Sequence, residues 1–175
     1  MQLIEGGKTV ENLPQRASVV RAGEGRSVWL VGDTYTFKAT SESTGGAFAL
    51  IEASVPPGSG PPPHVHTRED EAFYLLDGVL EVTADGEEML VRAGDFVYLP
   101  RGTLHFFRNP SVDATRALIL ASPGGLDRFF AEAGVPARPG EQAPPTGPED
   151  FGRIAALSAK YGMQIQAPEL VRSPE

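Results

Sequence analysis

A series of short β-like runs, each followed by turn residues, fills residues 18–121 and limits the possible folds of this chain more than any other feature. The runs are rich in β-branched and aromatic residues, and Gly, Pro, Asp or Asn stands at most of their boundaries. Many short strands with regular turns predict an all-β sandwich or barrel. In chain order the runs are RSVWLV, DTYTFKAT, GAFALIEASV, EAFYLLDG, VLEVTADG, EEMLVRAG, DFVYLPRG, TLHFFRN and RALILA.

Two of the turns are Asp-Gly pairs, Asp77-Gly78 and Asp85-Gly86. Asp-Gly between β-branched and aromatic residues is a strong signal for a tight β-hairpin, because both residues tolerate a positive φ. We therefore expect a hairpin at each pair and a mainly antiparallel arrangement of strands.

The sequence after Pro123 changes to helical periodicity. One apolar set is followed at once by Gly134, and a second set ends near Gly162 after a linker rich in Pro and Gly. Both predicted helices are short, so we expect them to pack on the outside of the β-domain or at a subunit contact. The two sets are Leu126, Phe129, Phe130 and Ala133, then Phe151, Ile154, Leu157 and Tyr161.

The length of 175 residues and a hydrophobic content of 41% suffice for one buried core. We expect a single domain over residues 1–175, with a barrel core at about 18–121 and a helical extension at about 124–165.

Composition excludes several classes of protein. The formal net charge of -8 and the isoelectric point near 4.9 oppose binding to nucleic acid. No apolar stretch is long enough to span a membrane, and the first residues lack the basic and apolar regions of a secretory signal, which predicts a cytoplasmic protein without a membrane partner. Because there is no cysteine, a metal site must use histidine nitrogen and carboxylate oxygen.

All three histidines lie in the strand-like region. His64 and His66 are two residues apart and share a strand face, as do Glu71 and Phe73 on the next run. His105 shares a face with the aromatic residue two positions later. Three imidazoles and one carboxylate on rigid strands suit a first-row divalent metal.

Plainer interpretations of the same residues stay open. A single histidine on a strand is usually a structural or surface residue, and an acidic run such as REDE is usually a solvated turn. Glu69 and Asp70 are rival carboxylates, although a side chain in the turn would have to bend inward to reach a metal.

The spacing of these residues resembles the two motifs of the cupin superfamily, with 15 residues between the motifs. The resemblance implies a jelly-roll β-barrel, a homodimer, and one divalent transition metal ion per chain held by His64, His66, Glu71 and His105. The matching positions are Gly58, His64, His66, Glu71 and Gly78 in the first motif, and Gly94, Pro100, Gly102, His105 and Asn109 in the second.

Longer phrases around the motifs, among them PPPHVHTREDEAFYLLDG and VYLPRGTLHFFRN, resemble bacterial single-cupin proteins of the quercetin 2,3-dioxygenase type. This resemblance implies a metal-dependent dioxygenase that cleaves a flavonol such as quercetin, or a related phenolic or enolic compound, with O2. Glu71 would then be both metal ligand and catalytic base. The ligand set admits nickel, cobalt, manganese, iron, copper or zinc.

The aromatic residues near the histidines allow two interpretations. Phe73, Leu75, Phe107 and either Phe96 or Tyr98 could surround the metal and bind a flat phenolic ligand, or they could simply fill the barrel. Two other functions also stay open: a different metal-dependent cupin enzyme, such as an isomerase or tailoring enzyme, and a non-catalytic small-molecule binding protein.

Overall fold

The structure is a computed structural model that describes residues 16–144 and 147–166. It contains two helices and twelve strands within those residues. The strands are β1 (Ser27–Leu30), β2 (Asp33–Ala39), β3 (Ala49–Val55), β4 (His64–His66), β5 (Asp70–Asp77), β6 (Val79–Ala84), β7 (Glu87–Arg92), β8 (Phe96–Leu99), β9 (His105–Arg108), β10 (Thr115–Ser122), β11 (Val135–Pro136) and β12 (Met163–Ile165); the helices are α1 (Leu126–Ala133) and α2 (Pro148–Lys160).

The strands form two antiparallel sheets. One has the order β11-β1-β2-β3-β10-β5-β8 and the other β12-β4-β9-β6-β7. Burial alternates residue by residue along β3 and β10, as expected for strands with one face toward a core. The apolar faces of both sheets meet in one core that includes Ile51, Phe73 and Val82. The prediction of an all-β jelly-roll barrel is confirmed.

The two Asp-Gly pairs behave differently. Asp85 and Gly86 have φ values of 49° and 87° and join the paired strands β6 and β7, so the hairpin predicted there is confirmed. The hairpin predicted at Asp77-Gly78 is wrong, because β5 and β6 belong to different sheets.

The Asp77-Gly78 turn carries the chain from one sheet to the other. Gly78 has a φ of 79°, and a Cβ on it would lie 2.5 Å from the Thr115 hydroxyl. That hydroxyl accepts a hydrogen bond from the Val79 N–H (3.1 Å) and donates one to the Val79 carbonyl (2.9 Å). The buried Thr115 hydroxyl therefore makes the hydrogen bonds to the Val79 N–H and carbonyl that a neighbouring strand would make in a hairpin.

The C-terminal helices take a larger part in the core than expected. All four apolar residues predicted for α1 are buried, and Ile154 of α2 joins the same core. The strand β12, which was not predicted, pairs with β4. Phe151 is exposed, so its predicted place on the apolar face of α2 is wrong. None of the described helices is long and apolar enough to cross a membrane.

Candidate metal centre

The four predicted ligand residues come from three strands and meet inside the barrel. His64 and His66 lie on β4, Glu71 on β5 and His105 on β9. His64 is the direct cross-strand partner of His105. All four side chains are buried, and one nitrogen or oxygen atom from each lies within 4.8 Å of the others.

Backbone carbonyls orient two of the imidazoles. His64 Nδ1 lies 2.9 Å from the Pro62 carbonyl oxygen, and His105 Nδ1 lies 3.0 Å from the Thr103 carbonyl oxygen. A carbonyl can only accept a hydrogen bond, so each Nδ1 carries the proton and donates. This leaves Nε2 of each ring as the atom that would bind a metal, which is the usual way that a neighbouring acceptor orients a ligand histidine.

Glu71 is the anionic member of the cluster. Its Oε2 lies 2.9 Å from His105 Nε2 and 3.5 Å from His66 Nε2. Burial alone raises the pKa of Glu71, but the imidazoles of His66, His105 and His64 outweigh burial and bring the pKa to about 2. The carboxylate is therefore ionised at neutral pH.

The three imidazoles differ in the overall direction of their pKa shifts, although burial opposes protonation of each. Burial, together with the other two histidines, lowers the pKa of His64 to about 3, and burial also lowers the pKa of His66. Burial opposes protonation of His105 too, but its hydrogen bond to Glu71 raises the pKa overall. Two imidazoles that burial keeps neutral, and a third paired with an ionised carboxylate, form a site that attracts a cation and offers it nitrogen and oxygen ligands.

One atom of the cluster has no partner. The buried His66 Nε2 makes no hydrogen bond, which is costly for a polar atom unless another group binds there. It lies in the same cluster as Glu71 Oε2 and His105 Nε2. The buried donor set of three nitrogens and one oxygen thus fits a divalent transition metal ion.

The two rival carboxylates lie elsewhere. Glu69 is buried with its Oε1 beside Gly125, just before α1. Asp70 accepts hydrogen bonds from the backbone and guanidinium of Arg101, which lower its pKa to about 2. Neither belongs to the cluster of potential ligands.

A narrow cavity opens beside the cluster, and most of its lining is apolar. Phe73 and Phe107 line it, as predicted, while Leu75 is buried without lining it. Phe96 and Tyr98 are exposed, so the prediction that one of them surrounds the metal is wrong. The strand β8 turns Val97 and Leu99 inward instead. Because all four of these residues are apolar or aromatic, alternation alone could not decide which pair faces the core.

The C-terminal extension forms one wall of the cavity, which the sequence did not indicate. The free space beside the ligands is about 50 Å³, enough for a water or dioxygen molecule. The lining residues from this wall are Leu126, Phe129, Phe130, Ile154, Met163 and Ile165.

Three polar residues at or near the cavity were also missed. Tyr35 lines the cavity, and its hydroxyl donates to Asp33 Oδ2 (3.1 Å). Ser59 donates to the other oxygen of Asp33 at 2.6 Å. Burial raises the pKa of Asp33 to about 7 against the effect of both hydrogen bonds. The only signal in the sequence is the alternation of Asp33, Tyr35 and Phe37, which places a carboxyl on the inward face of β2.

The cupin domain family matches residues 51–121, a range that contains all four potential ligands. This part of the chain is a cupin domain, and its buried cluster fits a cupin metal site.

Within that class, the chain is similar to a quercetin 2,3-dioxygenase from Bacillus subtilis, with 33% identity over 168 residues. The match covers 90% of this chain and 50% of the relative, so the chain spans half the relative's length.

Two solved structures resemble the fold. KdgF from a Halomonas species has a TM-score of 0.56 and 21% identity over 65% of this chain and 98% of that one. A protein from Thermotoga maritima, described as a predicted oxalate decarboxylase, has a TM-score of 0.57 and 22% identity over 61% of this chain and 99% of that one. At these identities the similarity concerns the fold alone.

Proposed function

We propose that this chain is a metal-dependent dioxygenase that cleaves a flavonol such as quercetin, or a related phenolic or enolic compound, with O2. The observation that carries the proposal is the buried cluster of three imidazoles and one carboxylate beside a largely apolar, aromatic-lined cavity. The similarity to a quercetin 2,3-dioxygenase supports this substrate class.

In the proposed mechanism, His64, His66, Glu71 and His105 hold one divalent metal ion. When bound, the metal would act as a Lewis acid that polarises a substrate oxygen and makes its hydroxyl group more acidic. Glu71 accepts the hydroxyl proton, because its carboxylate is ionised and lies at the cavity. A carboxylate with a pKa this low is a weak base, so the transfer depends on the increased acidity of the substrate.

The cavity walls have two functions in this proposal. The aromatic faces of Phe73 and Phe107 pack against a flat substrate ring, and the apolar residues of the C-terminal wall exclude water from the reacting atoms. A free space of about 50 Å³ is smaller than a flavonol. A flavonol therefore requires side chains of α1 or α2 to move outward, whereas a one-ring enolic compound requires less movement.

The test is oxygen consumption with quercetin absorbance followed in parallel, on protein loaded separately with nickel, cobalt, manganese and iron. We expect oxygen uptake matched to flavonol loss, and neither signal in a His66→Ala variant. If each metal binds but neither signal changes, the flavonol proposal is wrong. The same measurement with a one-ring phenol such as catechol then tests the smaller substrate, and turnover without oxygen uptake indicates a non-oxidative cupin enzyme.

Three further expectations from the sequence stay predictions: a single domain over residues 1–175, a cytoplasmic location and a homodimer. Gel filtration of the whole chain and fractionation of cells that produce it would test the last two.

A further inference from the structure

The cavity beside the potential ligands has one further polar side chain, that of Tyr35. Among the described residues that line the cavity, Tyr35 is the only one with a polar side chain apart from three of the potential ligands. Its side chain is buried, with 3% of its surface exposed. A second polar group on a ligand therefore has the Tyr35 hydroxyl as its side-chain partner, and this hydroxyl decides which kind of group fits there.

The Tyr35 ring is held in place by its surroundings. Tyr35 lies on β2, which is paired with β1 on one side and β3 on the other. Its ring lies against that of Phe130 of α1, with the ring centroids 4.3 Å apart. Burial raises the pKa of the Tyr35 hydroxyl, and the charges of Asp33 and Glu71 raise it further. The hydroxyl therefore keeps its hydrogen at neutral pH and lies within electrostatic range of Glu71, which lines the same cavity.

Asp33, two residues earlier on the same face of β2, sets the direction of the Tyr35 hydrogen. The Tyr35 hydroxyl donates to Asp33 Oδ2 at 3.1 Å, and Ser59 Oγ donates to Asp33 Oδ1 at 2.6 Å. Burial raises the pKa of Asp33 to about 7, so most of Asp33 is ionised at pH 8. An ionised carboxylate only accepts hydrogen bonds, and the single hydrogen of Tyr35 is therefore directed at Asp33. The lone pairs of the hydroxyl oxygen are what Tyr35 still offers to a ligand.

Ser59 keeps this arrangement fixed from the other side. Its N–H donates to the Pro56 carbonyl at 3.1 Å, and its carbonyl accepts from the Asn109 N–H at 3.0 Å. The Asn109 side chain is fully buried and donates to the Val55 carbonyl at 2.8 Å, which anchors the loop to β3. Asp33 is fully buried as well, so its carboxylate does not turn toward water.

We propose that Tyr35 determines specificity by accepting a hydrogen bond from a second hydroxyl group of the substrate, with Asp33 as the positioning residue that keeps Tyr35 an acceptor. The substrate class is then a phenolic compound with one hydroxyl for the metal site and another for Tyr35. A carbonyl or ether oxygen in the second position meets an oxygen without a hydrogen to offer and binds less well. This inference rests on the phenolic substrate class proposed above, but it does not depend on the reaction with O2.

The test is binding of small phenols to cobalt-loaded protein at pH 8 without oxygen, followed by cobalt absorption and by calorimetry. The probes are catechol, resorcinol and hydroquinone, each compared with the fluorophenol of the same ring positions, because fluorine is close to a hydroxyl in size but carries no hydrogen. We expect at least one dihydroxy compound to bind about three- to tenfold more tightly than its fluorophenol, the usual effect of one neutral hydrogen bond. The matching methoxyphenol keeps the oxygen but not the hydrogen, and should show no such gain.

Tyr35→Phe keeps the ring against Phe130 and removes the hydroxyl, so we expect the preference to disappear. Tyr161→Phe is the matched control, because the Tyr161 hydroxyl also bonds to a carboxylate, that of Glu132, but Tyr161 does not line the cavity. The double variant Asp33→Asn/Tyr35→Phe also removes the buried charge that Tyr35→Phe leaves with one partner fewer. It is tested with the same expectation, and circular dichroism checks that each variant is folded.

Asp33→Val tests the positioning role separately. It removes the acceptor of the Tyr35 hydrogen, which is then free to point into the cavity. We expect the methoxyphenol to bind more tightly than the fluorophenol in this variant, in contrast to the unaltered protein. A purely structural role of Asp33 would weaken binding of all the phenols alike, and that result would contradict the positioning role.

Two results would overturn the role of Tyr35. One is equal binding of every dihydroxy compound and its fluorophenol by the unaltered protein. The other is a preference that both Tyr35→Phe and the double variant retain, which would show that the second hydroxyl binds the metal or another group. If none of the phenols binds, the inference and the phenolic substrate class are both wrong. If the preference is found but quercetin causes no oxygen uptake, only the proposed reaction is wrong.

Discussion

At the scale of single residues, the site is defined by how each imidazole is held. Carbonyl groups of Pro62 and Thr103 fix the Nδ1 protons of His64 and His105 and aim both Nε2 atoms at the cluster. Glu71 supplies the negative charge, and its pKa of about 2 results from the imidazoles around it. The site is thus organised for a cation by the barrel itself.

Replacing Glu71 with Gln separates its two proposed roles, because the volume is kept while the charge and basicity are lost. We expect weaker metal binding and a loss of about 10²–10⁴-fold in oxygen uptake at saturating metal. Glu69→Gln is the matched control, since Glu69 is buried two residues away and lies outside the cluster. Full oxygen uptake by Glu71→Gln with metal bound would contradict the role of base.

Asp33 gives a prediction of pH-dependent stability. Burial raises its pKa to about 7, above an unfolded value near 3.8, so the folded state holds its proton more tightly. Below about pH 4 the Asp33 carboxyl is protonated in both the folded and the unfolded state. As the pH rises from about 4 to 7 only the folded state keeps the proton, so the free energy of unfolding falls. We expect Asp33→Asn to be more stable than the unaltered protein at pH 8 by about 1–4 kcal/mol, and equally stable near pH 4.

Urea unfolding of Asp33→Asn at pH 4, 6 and 8 checks this difference. Asp113→Asn serves as the control, because Asp113 is exposed on a loop and its replacement should leave the pH dependence of stability unchanged. If the gain in unfolding free energy of Asp33→Asn over the unaltered protein does not grow with pH, burial of the Asp33 charge is not the cause of that gain.

At the scale of secondary-structure elements, the two glycines of the Asp-Gly pairs allow a matched comparison. Both have positive φ, but a Cβ on Gly86 meets nothing within 4 Å, while one on Gly78 lies 2.5 Å from the Thr115 hydroxyl. We expect Gly86→Ala to cost about 1–2 kcal/mol through backbone strain alone. Gly78→Ala should cost about 3 kcal/mol or more, because it also disturbs a buried hydrogen-bonded threonine.

Thermal or urea unfolding of the two alanine variants gives the comparison directly. Equal losses of unfolding free energy for Gly78→Ala and Gly86→Ala would mean that Thr115 moves away at no cost. That result would contradict the interpretation of the Asp77-Gly78 turn as a fixed connection between the two sheets.

Much of the barrel could be predicted, because most of its strands are recognisable from short stretches of the sequence. Alternation and turn residues locate β1 to β3 and β5 to β10 within a few residues, and the inward face of β5 follows from the pattern around Phe73. The sheet to which a strand belongs is not decided by its local sequence. The same Asp-Gly pair forms a hairpin at Asp85-Gly86 but connects the two sheets at Asp77-Gly78. What separates them is Thr115, which is distant in sequence.

The site was predictable to a similar extent. Periodicity and the motif spacing together place His64, His66, Glu71 and His105 at one point, because each lies on a strand whose inward face is set by its neighbours. The C-terminal wall could not be found in this way. The strands β11 and β12 have two and three residues, too few for a pattern, and β12 is defined by its pairing with β4.

At the scale of the whole molecule, the C-terminal extension pairs with a strand that carries two of the potential ligands and also forms a wall of the cavity. The strand β12 pairs Met163 with His66 and Ile165 with His64, and both apolar side chains line the cavity. Helix α1 closes the same space with Phe129 and Phe130. Access to the candidate metal site therefore depends on an extension outside the residues that the cupin domain family matches.

The most direct test of the central claim, a metal centre built from three histidines and one glutamate, is a titration with cobalt(II) followed by visible absorption and metal analysis. We expect one cobalt ion per chain and an affinity reduced by about tenfold or more in His66→Ala. We expect no change in Asp70→Asn, because Asp70 precedes Glu71 on β5 but its carboxylate binds Arg101. Failure of the unaltered protein to bind cobalt, or equal binding by His66→Ala, would contradict the claim.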